Sequence, residues 1–331
     1  MTDWTAADMP DQTGRRVVVT GANTGLGKEA ARAFAAKGAD VVLACRSVER
    51  AEAAKADIEA ERPSGSLTVL ELDLADLDSV RSFADAFTDE FDDLHVLANN
   101  AGVMAIPRRE TADGFETQFG VNHLGHFALT GHLLDDLRET GSGDDPARVV
   151  TMSSGIHERG RIDFEDLHGE RSYDKWDAYA QSKLANLLFA YELDRRLDAA
   201  DAPVESVAAH PGYAATDLQR RGPEMMGSTL RKLGMRVANA VFAQSAEQGA
   251  LPFLYAATMP DISGGEYYGP GGFANMRGAP ERQRSSKRSY EEGTAYRLWS
   301  VSEEGTGVAY ELPDARGETA SGDAAGAAAD D

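Results

Sequence analysis

Tyr179 and Lys183 lie four residues apart within Ala-Tyr-Ala-Gln-Ser-Lys-Leu-Ala-Asn, residues 178–186. Ala, Leu, Gln and Lys dominate this stretch, and neither Gly nor Pro occurs from Lys175 to Ala202, so it reads as helix. At that spacing both side chains lie on one helical face. A free phenol is a weak acid, with a pKa of about 10. An ammonium group beside it favours the phenolate and lowers that value. Such a pair could pass a proton near neutral pH. The same spacing also occurs in ordinary surface Tyr and Lys residues, so the rest of the chain has to distinguish the two.

The elements that would position the pair begin at Arg15. Residues 15–20 are a short β-branched run, the pattern of a buried parallel strand. Gly21-Ala22-Asn23-Thr24-Gly25-Leu26-Gly27 follows directly, then an Ala-rich helix over 28–37 that Gly38 stops. A glycine turn between strand and helix lets backbone approach a pyrophosphate, and the helix N-terminus holds its charge. A tight strand-to-helix turn without ligand is the plainer reading. The next strand, 39–44, ends at Cys45-Arg46. An acidic residue there would hold the ribose hydroxyls of an adenosine. Arg46, with Lys28 just past the glycine turn, suits a 2′-phosphate instead, hence NADP(H) before NAD(H).

Further strands are expected at 67–72, ending in Asp73-Leu74, at 94–98, closed by Asn99-Asn100-Ala101-Gly102, at 148–152, ending in Ser153-Ser154, and at 203–209, followed by His210-Pro211-Gly212 and Thr216. Helices are expected over 48–62, from an Asp76 N-cap to Glu90, over 244–258 with an interruption at Pro252, and over 289–302. A short last strand is expected at 265–268. A long helix after Thr111-Ala112-Asp113-Gly114 carries Asn122, which would satisfy backbone at a kink or hold a water. His123 and His126 on it have the spacing of metal ligands but no acidic or Cys partner nearby, and they read as ordinary helix histidines. Residues 1–14 read as a loose lead-in, 213–241 as a mobile substrate lid, and 305–331 as an acidic, disordered tail.

Composition narrows the setting. Asp and Glu number 55 against 33 Lys and Arg, for a net charge of −22 over 331 residues, which argues against nucleic acid or an anionic membrane as partner. A high-salt cytoplasm, where salt screens the carboxylate surface, is one expectation; an ordinary acidic protein is the other. One cysteine excludes an intrachain disulfide, and no run approaches the roughly 20 apolar residues of a membrane span. With no secretory signal visible, a cytoplasmic location is expected.

Together these segments resemble the short-chain dehydrogenase/reductase family. The matching motifs are TGANTGLG (20–27), DL (73–74), NNAG (99–102), Asn122, SS (153–154), YAQSK (179–183) and HPG with Thr216, in the family's order over roughly 15–270. ACR (44–46), TADGFE (111–116), VNHLGHF (121–127), SKLANLLF (182–189) and RLWSVSEE (297–304) are closer to the retinol dehydrogenase-like branch, which includes protochlorophyllide reductase-like proteins. The resemblance implies an α/β fold, a single Rossmann-like domain over 15–304 with a doubly wound parallel sheet. It implies NADP(H) held by Gly21, Asn23, Thr24, Gly25, Leu26, Gly27, Lys28, Arg46, Asp73, Leu74, Asn100, Ala101, Gly102, Tyr179, Lys183, Pro211, Gly212 and Thr216. It implies a tetrad of Asn122, Ser154, Tyr179 and Lys183, with no metal. Many members place the Ser about a dozen residues before the Tyr; this branch carries an insertion, and the second strand-end serine, Ser154, 25 before Tyr179, takes the role.

The implied chemistry is hydride transfer between nicotinamide and the carbonyl or alcohol of a partly apolar small molecule. Ser154 orients the oxygen, Tyr179 exchanges its proton, Lys183 tunes Tyr179, and Asn122 holds a relay water. Alternatives on the same fold are a non-catalytic NADP(H)-sensing regulator, a nucleotide-sugar epimerase or dehydratase, and a light-dependent protochlorophyllide reductase. Family members are often homodimers or homotetramers.

Overall fold

Short runs of Val, Leu and Ala become the strands of one sheet, and the Ala-rich segments between them become helices on its two faces. The computed structural model describes residues 4–212, 245–272 and 275–313. Its strands are β1 (Arg16–Thr20), β2 (Asp40–Cys45), β3 (Leu67–Glu71), β4 (Val96–Asn99), β5 (Ala147–Met152), β6 (Val204–Ala209), β7 (Tyr267–Pro270) and β8 (Pro280–Gln283). Among the described residues they form one sheet in the order β3-β2-β1-β4-β5-β6-β7-β8, parallel except for β8. The winding reverses between β1 and β4. Connections leaving their carboxyl ends therefore diverge and open a crevice.

The helices are α1 (Gly25–Ala36), α2 (Val48–Glu59), α3 (Leu77–Glu90), α4 (Thr117–Phe119), α5 (Gly125–His132), α6 (Leu134–Thr140), α7 (Lys175–Ala199), α8 (Ala246–Thr258) and α9 (Glu292–Thr306). Along β1, Val17 and Val19 pack toward α1, α2 and α8, while Val18 packs toward α3, α5 and α7. Such a strand, buried on both faces, has to be apolar throughout. Side-chain caps set several helix starts: Ser47 accepts from Arg50 N, Asp76 from Asp78 and Ser79 N, and Asp174 from Trp176 and Asp177 N.

Several expectations need correction. The lead-in is not loose where it is described. Met9 is buried in the core, Trp4 meets Tyr255 edge-on at 5.2 Å, and Gln12 N donates to Lys37 O at 2.8 Å. The helix carrying Asn122 is not continuous α: a π turn (Gly120–Leu124) separates α4 from α5. Pro252 does not interrupt α8, because Ala250, Phe253 and Leu254 around it are buried in the core. The last strand is shifted to β7, and β8 was not foreseen, because Pro-Glu-Arg-Gln is polar and pairs only at the sheet edge. The final helix starts at Glu292 after a 3₁₀ turn and runs to Thr306. The expected tail from 305 therefore begins too early: Tyr310 and Leu312 are buried, and Tyr310 Oη donates to Phe127 O at 2.6 Å. The expected lid, 213–241, lies outside the described residues.

Candidate active site

The turn after β1 forms the floor of the crevice. Gly21 and Gly25 take left-handed φ values of +68° and +56°, which a residue with a Cβ adopts at a cost. A Cβ on Gly27 would lie 2.5 Å from both Gly21 O and Asn100 Nδ2, so only glycine lets α1 approach the strand end this closely. The cleft is lined by Gly21, Asn23, Thr24, Gly25, Leu26 and Gly27 on this side, and by Asp73, Leu74, Asn100, Ala101 and Gly102 opposite. The α1 N-terminus thus presents first-turn N–H groups and the positive end of its dipole to the cleft, a fit for a pyrophosphate. Asn100 lines the cleft but its side chain is occupied structurally, donating to Thr20 O at 2.8 Å.

The expected phosphate clamp separates into two parts. Arg46 lines the cleft, is 65% exposed in its side chain and stands 3.8 Å from Asp73 Oδ2. Lys28 does not contribute to the lining. Its ammonium turns to Asp57 on α2 at 2.8 Å, and Asp57 also takes Arg32. The cations at the lip are instead Arg46 and Arg50, with Ser47 between them. Arg50 and Ser47 were missed; the available signal was a cation one helical turn beyond a Ser cap. Met104, Ile106, Thr117 and Val121 also line the cleft unforeseen. Pro211 and Gly212 follow β6, Gly212 with φ +63°; Thr216 lies outside the described residues.

Tyr179 and Lys183 occupy successive turns of α7 and are nearly buried, at 9% and 4% exposure. Lys183 Nζ donates to Met152 O at 3.0 Å and lies 6.0 Å from the centre of the Tyr179 ring. A Cβ on Gly102 would come within 3.6 Å of that Nζ, so the lysine borders the same strand end that lines the cleft. The two strand-end serines differ. Ser153 Oγ donates to the Lys183 carbonyl at 2.8 Å and is buried, while the Ser154 hydroxyl hydrogen-bonds Tyr179. His157, also missed, fixes this turn: its Nδ1–H donates to Ser154 O at 2.7 Å and its Nε2 accepts from Ser286 N.

The electrostatics run against the expectation of a lowered tyrosine pKa. Burial pushes the Tyr179 phenol up to about 12, opposed only by the Ser154 hydrogen bond. Burial also brings Lys183 down to about 7, because the charged form loses its water. Spacing along a helix gives the pair's direction but not its desolvation, which depends on what packs around it.

Asn122 is committed. Its Oδ1 accepts from Val103 N at 2.7 Å, and its Nδ2 donates to Val103 O and to Ser182 Oγ, each at 2.9 Å. The side chain thus ties the strand-end loop to α7 and has no donor left for a water. His123 and His126 are both buried, which holds each near pKa 3 and so uncharged. Among the described residues no cluster of His, Cys, Asp or Glu could hold a metal ion, and no helix is long and apolar enough to cross a membrane.

A model of the short chain dehydrogenase family matches residues 15–227. The chain is 44% identical over 300 residues to retinol dehydrogenase 12 of Mus musculus, covering 90% of this chain and 88% of that protein. It is 43% identical over 287 residues to polyprenol dehydrogenase of Mus musculus, covering 86% and 84%. An uncharacterised protein from Mycobacterium Paratuberculosis of known structure superposes with a TM-score of 0.76 at 42% identity, over 93% of this chain and 99% of that one. With the family model covering more than half its length and relatives above 40% identity covering nearly all of it, this chain belongs to the short chain dehydrogenase family and is an oxidoreductase.

Proposed function

We propose that the chain transfers hydride between NADP(H) and the carbonyl or alcohol carbon of a partly apolar substrate, with Tyr179 exchanging the proton. The observation that carries this reading is that the cleft and the Tyr179–Lys183 pair are neighbours. The glycine turn, Arg46 and Gly102 line the cleft, and a Cβ on Gly102 would stand 3.6 Å from Lys183 Nζ, while Ser154, Tyr179 and Lys183 lie just behind that lining. First-turn N–H groups of α1 would hold the pyrophosphate, and Arg46, helped by Arg50 and Ser47, the 2′-phosphate. Asp73, Leu74, Asn100, Ala101, Gly102, Pro211, Gly212 and Thr216 complete the proposed contacts. The Arg46–Asp73 pair is long and exposed, so little free energy opposes its rearrangement toward a phosphate.

The nicotinamide, when bound, supplies or accepts the hydride. Ser154 donates a hydrogen bond that orients the substrate oxygen. Tyr179 is protonated at neutral pH and ready to donate to that oxygen in reduction. A charge on Lys183 favours the phenolate, and with its pKa near 7 that charge is partly present where the enzyme would work. Asn122 holds the Val103 loop and α7 at fixed separation. Retinol and polyprenol, in the names of the relatives, are long apolar alcohols, which supports a substrate of that character. A cytoplasmic location remains part of the proposal.

Titration with NADPH and NADH, followed by nicotinamide fluorescence, tests the cofactor. NADPH should bind more tightly, and Arg46→Asp should shift the ratio toward NADH. An unchanged ratio would contradict the 2′-phosphate assignment. Binding without turnover of any aldehyde, ketone or alcohol would favour the sensing regulator.

A further inference from the structure

His126 lies beyond the reacting groups, yet it joins the two halves of the site. Thr20, the last residue of β1, is fully buried, and its Oγ1 stands 2.9 Å from Asn100 N, 2.9 Å from Ala101 N, 3.2 Å from Ala98 O and 2.9 Å from His126 Nε2. The two backbone N–H groups can only donate, so the hydroxyl accepts both and has one proton left to give. His126 Nδ1 stands 3.1 Å from Asn122 O, a carbonyl that can only accept. Nδ1 therefore carries the ring proton. Burial keeps the ring neutral, so Nε2 is bare and accepts the Thr20 proton, over the longer approach to Ala98 O. Any charge on Lys183 further disfavours its protonation.

The hydrogen bonds form one directed chain. Asn100 and Ala101 donate to Thr20, Thr20 to His126, and His126 to the Asn122 carbonyl. The Asn122 side chain then holds both Val103 and Ser182, and Ser182 Oγ donates to Tyr179 O at 2.8 Å. The strand end that lines the cleft is thereby tied to the helix that carries Tyr179. An isolated helix histidine would need one partner; this ring uses both nitrogens, in opposite senses, one on the end of β1 and one on the π turn that precedes its own helix.

We propose that His126 is a positioning residue for hydride transfer, a neutral Nδ1–H imidazole that fixes the cofactor-facing strand end 99–102 relative to Asn122 and Tyr179. This rests on the hydride-transfer reading for its kinetic consequence, while the tautomer follows from the hydrogen bonds and the burial of the ring.

Two measurements test it. In the wild-type protein labelled with ¹⁵N-histidine, the His126 ring, identified by its loss in His126→Asn, should give the Nδ1–H neutral tautomer at pH 7. An Nε2–H tautomer or a protonated ring would overturn the proposal whether or not the protein is an enzyme. The second is a cycle of Thr20→Val, His126→Leu and the double variant, with kcat and KM measured on NADPH and an aldehyde. Each single variant should lower kcat about tenfold or more with aldehyde KM within about twofold of wild type, and the double should be no slower than the worse single. Losses that multiply, or that fall on KM alone, would overturn the chain. Should wild type turn over no carbonyl, the hydride-transfer reading fails while the tautomer result stands by itself.

Discussion

Replacing Lys183 with Met should flatten a rise in stability that the cofactor-free protein shows between pH 7 and 9. The ordinary lysine value is 10.5, and burial on α7 brings Lys183 down to about 7. Between those values the unfolded chain binds a proton that the folded chain does not. Stability then increases with pH, by up to about 1.4 kcal/mol per unit. At pH 7 the folded lysine is half charged and by pH 9 it is neutral, so the gain across the window is about 2 kcal/mol. Tyr179, raised to about 12, acts with the opposite sign and only above pH 10. Asp194, which burial raises to about 7, loses some stability near the start of the window, but it is common to both proteins and cancels in the difference. Urea unfolding at pH 7, 8 and 9, followed by circular dichroism at fixed high KCl, reads the effect. Wild type should gain about 2 kcal/mol relative to Lys183→Met. Parallel curves for the two proteins would refute the claim that Lys183 is desolvated in the absence of cofactor.

Gly27→Ala should cost about 1–3 kcal/mol and abolish NADPH binding, because the added methyl meets Gly21 O and Asn100 Nδ2 at 2.5 Å and backbone there has nowhere to go; urea unfolding and nicotinamide fluorescence check both. With a net charge of −22, the chain is expected to gain stability from low to multimolar KCl as screening relieves self-repulsion, and equal stability at low salt would end the high-salt expectation.

Local chemistry made much of the site legible in advance. The strand, glycine turn and α1 followed from residue types within about a dozen positions, as did the Asp76 cap and the common face of Tyr179 and Lys183. What escaped was set by partners distant in sequence. Lys28 follows the glycine turn in the chain, but Asp57 on the neighbouring helix turns it away from the cleft. Asn122 reads as a polar residue in an apolar helix, and only the π turn and the Val103 loop show what it holds. Buried Glu116 and Gln118 look like surface helix residues in sequence, yet they hold the 105–106 loop with Tyr173: Ala105 N donates to Gln118 Oε1, and Tyr173 Oη contacts both Ile106 O and Glu116 Oε1. Val308, Tyr310 and Leu312 pack on the core although the surrounding composition is that of a tail. Residue types report local preference, whereas desolvation and long-range pairing depend on which elements meet.

The most direct test of the hydride-transfer reading follows NADPH absorbance with a long-chain unsaturated aldehyde, wild type beside Tyr179→Phe. Wild type should consume NADPH and form the alcohol in equal amounts. Tyr179→Phe should still bind NADPH and lose about 10²–10⁴-fold in kcat, the contribution of a placed general acid. Wild-type turnover in the variant would contradict the assignment of Tyr179.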